Sequence, residues 1–254
     1  MSLDGNPSSL SDVADTSGER FHWTAHPEFH NGSDVCSIGG SGFSGPHGTV
    51  RADDYLIRIF DLSVALVILI AVAPFLLLLV VLLKLGSPGP VFFAQKRVGK
   101  NGALFSCLKF RTMVVDAQAR LDHLLKTCPQ SRAEWERDHK LRNDVRITPL
   151  GQFMRKFSLD ELPQLINIVR GQMSIVGPRP IVEAEIWRYG PYFADYCSVR
   201  PGLTGLWQVS GRNDVSYDER VQLDRYYSRN KSLGLDLAIV ARTVPVVLGA
   251  RGAY

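Results

Sequence analysis

The sequence predicts a mainly helical α+β protein, with a membrane-embedded apolar helix followed by a small cytoplasmic domain of amphipathic interfacial helices and short strands. Three observations predict it. From Leu62 to Leu83 there are 22 residues without a charge, enough to cross hydrocarbon as a helix. After this run, apolar residues recur at helical spacing through several segments. Between those segments, short β-type runs stand beside glycine and proline turns. The 254 residues accordingly divide into a tail at 1–50, a membrane segment at 51–85 and a domain at 86–254.

The tail holds nine Ser, eight Gly and six acids, with Arg20 its only basic residue, a composition that predicts disorder. Its net charge of −5 within a chain of +4 leaves +9 on residues 51–254. That excess suits an anionic partner, whether lipid headgroup, nucleotide or nucleic acid. Cys36, Cys107, Cys128 and Cys197 lie far apart without a C-x-x-C pair, so reduced thiols are expected, with no zinc site or disulfide scaffold. His22, His26 and His30 are four apart, but Pro27 argues against the helix that would align them as metal ligands.

The apolar run begins too late and is too long for a cleaved signal peptide. Asp53, Asp54 and Asp61 precede it while Lys84, Lys96, Arg97 and Lys100 follow, which places the downstream domain in the cytoplasm. Pro74 removes a backbone donor near the middle. Two geometries remain open from the residues alone: a kinked spanning helix, or a re-entrant hairpin that enters and leaves by one leaflet.

Gly86-Ser-Pro-Gly-Pro90 must end the helix, and Val91-Phe-Phe93 and Leu104 to Phe110 read as strands around Gly99 and Gly102. Met113, Val114, Ala117, Leu121, Leu124 and Leu125 predict an amphipathic helix that packs on the domain or lies on lipid. A second buried helical face runs from Phe153, Met154 and Phe157 into Leu162, Leu165, Ile166 and Val169, closed by Gly171. Trp187, Tyr189, Tyr192, Phe193 and Tyr196 are expected mainly in the core. Helices near Asp218 to Arg229 and Leu235 to Leu248 follow, the second interrupted at Pro245.

The most informative stretch is Arg155-Lys-Phe-Ser-Leu-Asp-Glu-Leu-Pro-Gln164. Ser158-x-x-Glu161 has the capping-box pattern, and Pro163 favours a helix start near Asp160, so both acids have a purely structural explanation. The chemical explanation is that a helix start beside Arg155 and Lys156 binds phosphate and keeps a carboxylate ionised. An ionised aspartate can act as a nucleophile toward phosphorus, and because adjacent carboxylates in a helical turn diverge by about 100°, one of the two acids could attack while its neighbour holds a magnesium ion. Arg179 lies in the rigid Gly177-Pro-Arg-Pro180 loop, and Arg212 in the glycine-punctuated region after Arg200-Pro-Gly-Leu-Thr-Gly205; both suit phosphate.

Taken together, the Pro74-broken apolar segment, Gly86-Ser-Pro-Gly-Pro90, Gln95-Lys-Arg97, Lys109-Phe-Arg-Thr-Met113, Ser158-Leu-Asp-Glu-Leu-Pro-Gln164, Val176-Gly-Pro-Arg-Pro180 and Arg200-Pro-Gly-Leu-Thr-Gly205 with Gly211-Arg212-Asn213 resemble the monotopic phosphoglycosyl transferases, or bacterial sugar transferases. The resemblance runs from about Tyr55 to Tyr254. It implies a re-entrant membrane hairpin at the bacterial inner membrane with the catalytic domain facing the cytoplasm. It implies that Asp160 attacks the phosphate bearing the sugar of a UDP-hexose, expels UMP and forms a covalent intermediate resolved by undecaprenyl phosphate. Glu161 would bind Mg2+; Arg155, Arg179 and Arg212 would contact phosphates or nucleotide, with Lys109 and Arg111 assisting. Galactose or glucose is the sugar implied, as the first membrane step of exopolysaccharide synthesis.

Ala73 stands before Pro74 where the family commonly has Ser, and the tail matches nothing recognised. Membrane lipids are expected partners, and a homodimer is left open as an assembly. Nucleic acid is not expected, because no basic stripe with interleaved aromatics is present. A non-catalytic scaffold leaves the arginine loops around an acidic pair unexplained. A phosphatase or a UDP-releasing glycosyltransferase differs in its products.

Overall fold

In the computed structural model, residues 52–86, 88–138, 141, 144–211 and 215–248 are described. The tail at 1–50, with its histidines and its expected disorder, lies outside them, as does Arg212. Helix α1 runs from Ala52 to Gly86 with Pro74 inside it, so the helical backbone continues past the proline. Among the described residues it is the one helix long and apolar enough to cross a membrane.

Both halves of α1 pack on the domain. In the first half, Ile57 and Ala65 are buried, and Asp61 is only 1% exposed. Asp61 accepts from Ser174 Oγ at 2.9 Å and from Ile175 N at 2.8 Å, which compensates for the loss of water around a buried carboxylate. Arg58 donates to the carbonyls of Ile168 and Val169 at 2.8 and 3.0 Å. In the second half, Leu79 and Leu83 join Val91, Phe110 and Met154 in a separate apolar cluster. Between the two contacts, Leu66, Val67, Ile70, Leu77 and Leu78 are exposed.

The expected strands form a hairpin, β1 (Phe92–Val98) antiparallel to β2 (Leu104–Phe110), in a register that pairs Phe93 with Lys109, Gln95 with Cys107 and Arg97 with Phe105. Directly paired residues share a face, so Arg97, Gln95, Cys107 and Lys109 project to one side. The hairpin turn places Asn101 and Gly102 at positive φ. The amphipathic helix begins later than its periodicity suggests, as α2 (Ala117–Thr127), because Met113 pairs instead with Ile147 in an isolated bridge. Helix α3 (Pro129–Asp138) follows.

The second predicted helical face is two helices. Helix α4 (Pro149–Lys156) starts with Thr148 accepting from Gly151 N at 3.0 Å, and α5 (Gln164–Val169) ends at Gly171 in a left-handed turn. Strand β3 (Ser174–Val176) pairs in parallel with β4 (Gly202–Thr204). Between them α6 (Ile186–Tyr189) and α7 (Phe193–Ser198) carry the aromatic cluster. Its burial is divided: Tyr189 and Tyr196 are core, whereas Trp187 is 70% exposed. Helices α8 (Leu206–Ser210), α9 (Tyr217–Asn230) and α10 (Leu233–Leu248) complete the domain, and α10 continues through Pro245 rather than stopping there. The largest apolar cluster joins Ala65 of α1 to Phe105, Leu165, Ile168, Ile175, Tyr227 and Ile239.

Asp224 of α9 is buried and accepts from Tyr189 Oη at 2.8 Å. Burial pushes its carboxyl up to about 7, against the opposing effects of the Tyr189 hydrogen bond and the Arg220 charge. A folded pKa above the unfolded value of about 4 means that this group's stabilisation is complete below pH ~4 and is lost as pH rises through 7. Asp224→Asn should therefore raise the thermal midpoint at pH 8 relative to wild type by more than it does at pH 5. The free-energy difference between the two pH values should be no more than about 4 kcal/mol. Thermal unfolding of both proteins across this range checks it, and an identical offset at both pH values would contradict the assignment.

Candidate active site

Asp160 and Glu161 lie in a single 3-10 turn, Leu159–Glu161, between α4 and α5. The structure corrects two expectations here. Ser158 makes no side-chain cap, so the capping box is absent, and α5 begins only at Gln164 with Pro163 as its N-cap. Ser158 instead adopts a left-handed backbone with φ 55°, a conformation costing a residue with a Cβ about 1–2 kcal/mol. That residue turns the chain sharply between the helices and sets the acids apart from either one.

Lys109 comes from β2 and donates to Glu161 Oε1 at 2.5 Å. The strand is held there by Asn167 of α5, fully buried, which accepts from Leu108 N at 3.0 Å and donates to Ser106 O at 2.8 Å. A helix side chain thus supplies β2 with the partner that a third strand would otherwise provide. Arg155 comes from the last turn of α4, where its Nε donates to Thr112 Oγ1 at 2.9 Å. No other hydrogen bond is made by this guanidinium among the described residues, and its charge is felt by Asp160, so its terminal nitrogens can serve an anion. Helix α4 packs so closely here that a Cβ on Gly151 would stand 2.1 Å from Thr112 O.

Arg179 is exposed on its loop, and Gly177 N and Gly202 N bond across that loop's base to Thr204 O and Pro178 O. Arg111 is placed elsewhere. Its guanidinium is buried beneath the Gly89 turn and donates to Pro88 O at 2.7 Å, so it braces the exit of α1 beside a small apolar cavity lined by Leu82, Leu83 and Leu150. The structure therefore brings Asp160, Glu161, Lys109, Arg155 and Arg179 together, gives Arg111 a structural partner, and leaves Arg212 outside the described residues.

The two acids differ electrostatically. Burial, and then the neighbouring Glu161 charge, push Asp160 above the usual aspartate range; Lys109 and Arg155 oppose this without overcoming it. At Asp160, desolvation thus outweighs the basic neighbours. Burial raises Glu161 too, but Lys109, Arg179 and Arg97 outweigh it and hold the carboxyl below its usual value. The arrangement is a buried, basic carboxylate beside a cation-neutralised one, with two guanidinium groups available for phosphate. Among the described residues no cluster of three or more His, Cys, Asp or Glu is present. Among the described residues a divalent cation would thus have these two carboxylates, and it would take remaining ligands from phosphate and water, as magnesium commonly does.

Thr112, Asn167 and Arg97 were not singled out as site residues from the sequence. Asn167 did leave a signal: it is a polar residue within the apolar helical face of Leu165, Ile166 and Val169.

Residues 52–250 match the family model described as bacterial sugar transferase. The chain is 52% identical over 200 residues to a UDP-galactose-lipid carrier transferase of Erwinia amylovora, covering 79% of this chain and 42% of the relative. It is 50% identical over 197 residues to an exopolysaccharide production protein of Sinorhizobium fredii, covering 78% and 87%. It is 50% identical over 204 residues to an undecaprenyl-phosphate galactose phosphotransferase of Salmonella typhimurium, covering 80% and 43%. The chain thus spans less than half of the first and third relatives and most of the second. With the match extending from the start of α1 to beyond α10, the chain belongs to the bacterial sugar transferase family.

Proposed function

We propose that this protein transfers a hexose-1-phosphate, galactose or glucose, from a UDP-hexose to undecaprenyl phosphate, as the first membrane step of exopolysaccharide synthesis. The observation that carries the reading is a buried Asp160 held beside Arg155 and the Lys109–Glu161 pair, on a domain packed against a lipid-type helix. The names of three relatives, carrying UDP-galactose, undecaprenyl phosphate and exopolysaccharide production, supply the substrate classes.

In this reading the Asp160 carboxylate attacks the phosphorus that bears the sugar. A new P–O bond forms to Asp160, the bond to the bridging oxygen breaks, and UMP leaves with that electron pair. The phosphate oxygen of undecaprenyl phosphate then attacks the same phosphorus and releases Asp160, giving a lipid-linked sugar diphosphate. An aspartate raised by burial is more nucleophilic, once ionised, than one stabilised by several hydrogen bonds. Arg155 and Arg179 neutralise and orient the diphosphate, and Lys109 sits within reach of the same oxygens. Glu161 Oε2, the oxygen that Lys109 does not take, would hold a magnesium ion, whose role when bound is to offset charge on the departing phosphate.

The packing of α1 at both ends supports re-entrant insertion, and the basic residues Lys84, Lys96, Arg97 and Lys100 that follow it support a cytoplasmic domain. Asp61 and Leu83 are 22 residues apart, about 33 Å along a straight helix, roughly the thickness of the hydrocarbon layer. Both are buried against one domain, and the largely exposed stretch between them, Leu66 to Leu78, in which Ile68, Leu69 and Leu76 still pack on the apolar clusters, would extend only about 20 Å. In this reading a helix held at both ends by the same domain bends at Pro74 within the bilayer and returns to the leaflet it entered, rather than spanning.

Purified protein with magnesium, a UDP-hexose and undecaprenyl phosphate should release UMP, with Asp160→Asn inactive; UDP as the sole nucleotide product would sink the reading. With sugar-labelled donor and no acceptor, label should attach to wild type and not to Asp160→Asn. Chelation should abolish turnover, and Glu161→Gln should raise the magnesium needed for half-maximal rate by about 10- to 100-fold. An unchanged magnesium titration would remove Glu161 from that role. Finally, Cys36 in intact cells should resist an impermeant thiol reagent, and labelling from outside would restore a spanning helix.

A further inference from the structure

Arg97 of β1 plays no part in the chemistry above, yet its side chain is only 14% exposed. Its Nη1 donates to Pro180 O at 2.9 Å and its Nη2 to Gln95 Oε1 at 2.7 Å, while Glu185 lies 3.8 Å away. The adjoining residue repeats the attachment: Val98 N donates to Ile181 O at 2.9 Å, and Tyr196 Oη bridges Val98 O and Ile181 N. On the other side of Arg179, Gly202 N holds Pro178 O at 2.8 Å. Arg179 itself is exposed and makes no hydrogen bond among the described residues. It is thus a free side chain on a backbone pinned at both shoulders, with prolines fixing φ on either side.

A second guanidinium close by is a costly clamp. Burial and then the Arg179 charge hold Arg97 below its ordinary pKa, and Glu185 only partly offsets them. The repulsion is relieved when an anion arrives between the two. We propose that Arg97 is a positioning residue for the donor's diphosphate, its fork holding the Pro180 carbonyl so that the loop presents Arg179 toward the acid pair. This rests on the reading that Arg179 binds donor phosphate.

The test is a double-mutant cycle with UDP-hexose as donor, comparing Arg97→Gln, Arg179→Gln and the double variant. Arg97→Gln should raise the donor KM by about 10- to 100-fold with kcat little changed, as expected for a misplaced binding group. In the Arg179→Gln background the same change should cost almost nothing, because the group it positions is gone. Arg97→Lys, which keeps the charge but not the fork, should recover only part of the KM and serves as the test if Arg97→Gln lowers the thermal midpoint. Fully additive losses, or a normal donor KM in both Arg97 variants, overturn the proposal. A normal donor KM in Arg179→Gln alone would instead overturn the phosphate role of Arg179.

Discussion

The site depends first on the docking of the apolar helix through Asp61 and Arg58. A carboxylate buried this deeply is tolerated only because Ser174 and Ile175 donate to it, so β3 is fixed against α1. Arg58 binds the last carbonyls of α5 and fixes that helix to α1 as well. From α5, Asn167 holds β2 at Ser106 and Leu108, and β2 delivers Lys109 to Glu161. Most steps in this chain are polar bonds to buried or half-buried groups, where a lost partner leaves an unsatisfied group at about 1–3 kcal/mol. An apolar helix attached in this way is part of the site's framework rather than a tether beside it.

A second dependence is the balance of charge around two neighbouring carboxylates. Two such groups in a partly dry site repel, and the chain resolves this asymmetrically: Lys109 bonds Glu161 directly and the cations outweigh its burial, while at Asp160 burial outweighs the cations. Cations outnumber acids once Arg155 and Arg179 are included, so the site is more favourable with a diphosphate present than without one. The surplus positive charge also makes a divalent cation a poor guest on its own and a better one together with phosphate.

Much of this was legible in the sequence, and the limits were physical. The apolar run, the hairpin, the order of helices and the acid pair follow from periodicity, turn residues and spacing, because each is a local property. The sequence sets Arg155 among the phosphate-contacting residues and Arg111 among their helpers, and the fold gives each its surroundings: Arg111 donates to Pro88 O, and Arg155 donates to Thr112 Oγ1 within electrostatic range of Asp160. Asn167 and Arg97 act across 61 and 83 residues of chain through hydrogen bonds to backbone carbonyls, and Thr112 across 43 through its hydroxyl. No pattern of side-chain types announces a hydrogen bond to a distant carbonyl.

The acid pair shows most clearly how a local rule fails at a functional site. Ser158, Glu161 and Pro163 satisfy the sequence signature of a helix start, and a chain free to follow it would place both carboxylates on first-turn amides. Those amides would lower both pKa values and weaken both groups as nucleophiles. The structure gives up that stabilisation by placing Ser158 in a left-handed conformation, so the turn ends before α5 begins. Asp160 is then buried without a helix dipole to hold its charge, and Glu161 is free to turn toward Lys109. Local strain at one serine, absorbed by the packing of α4 and α5 around it, converts a capping pattern into two carboxylates with different chemistry.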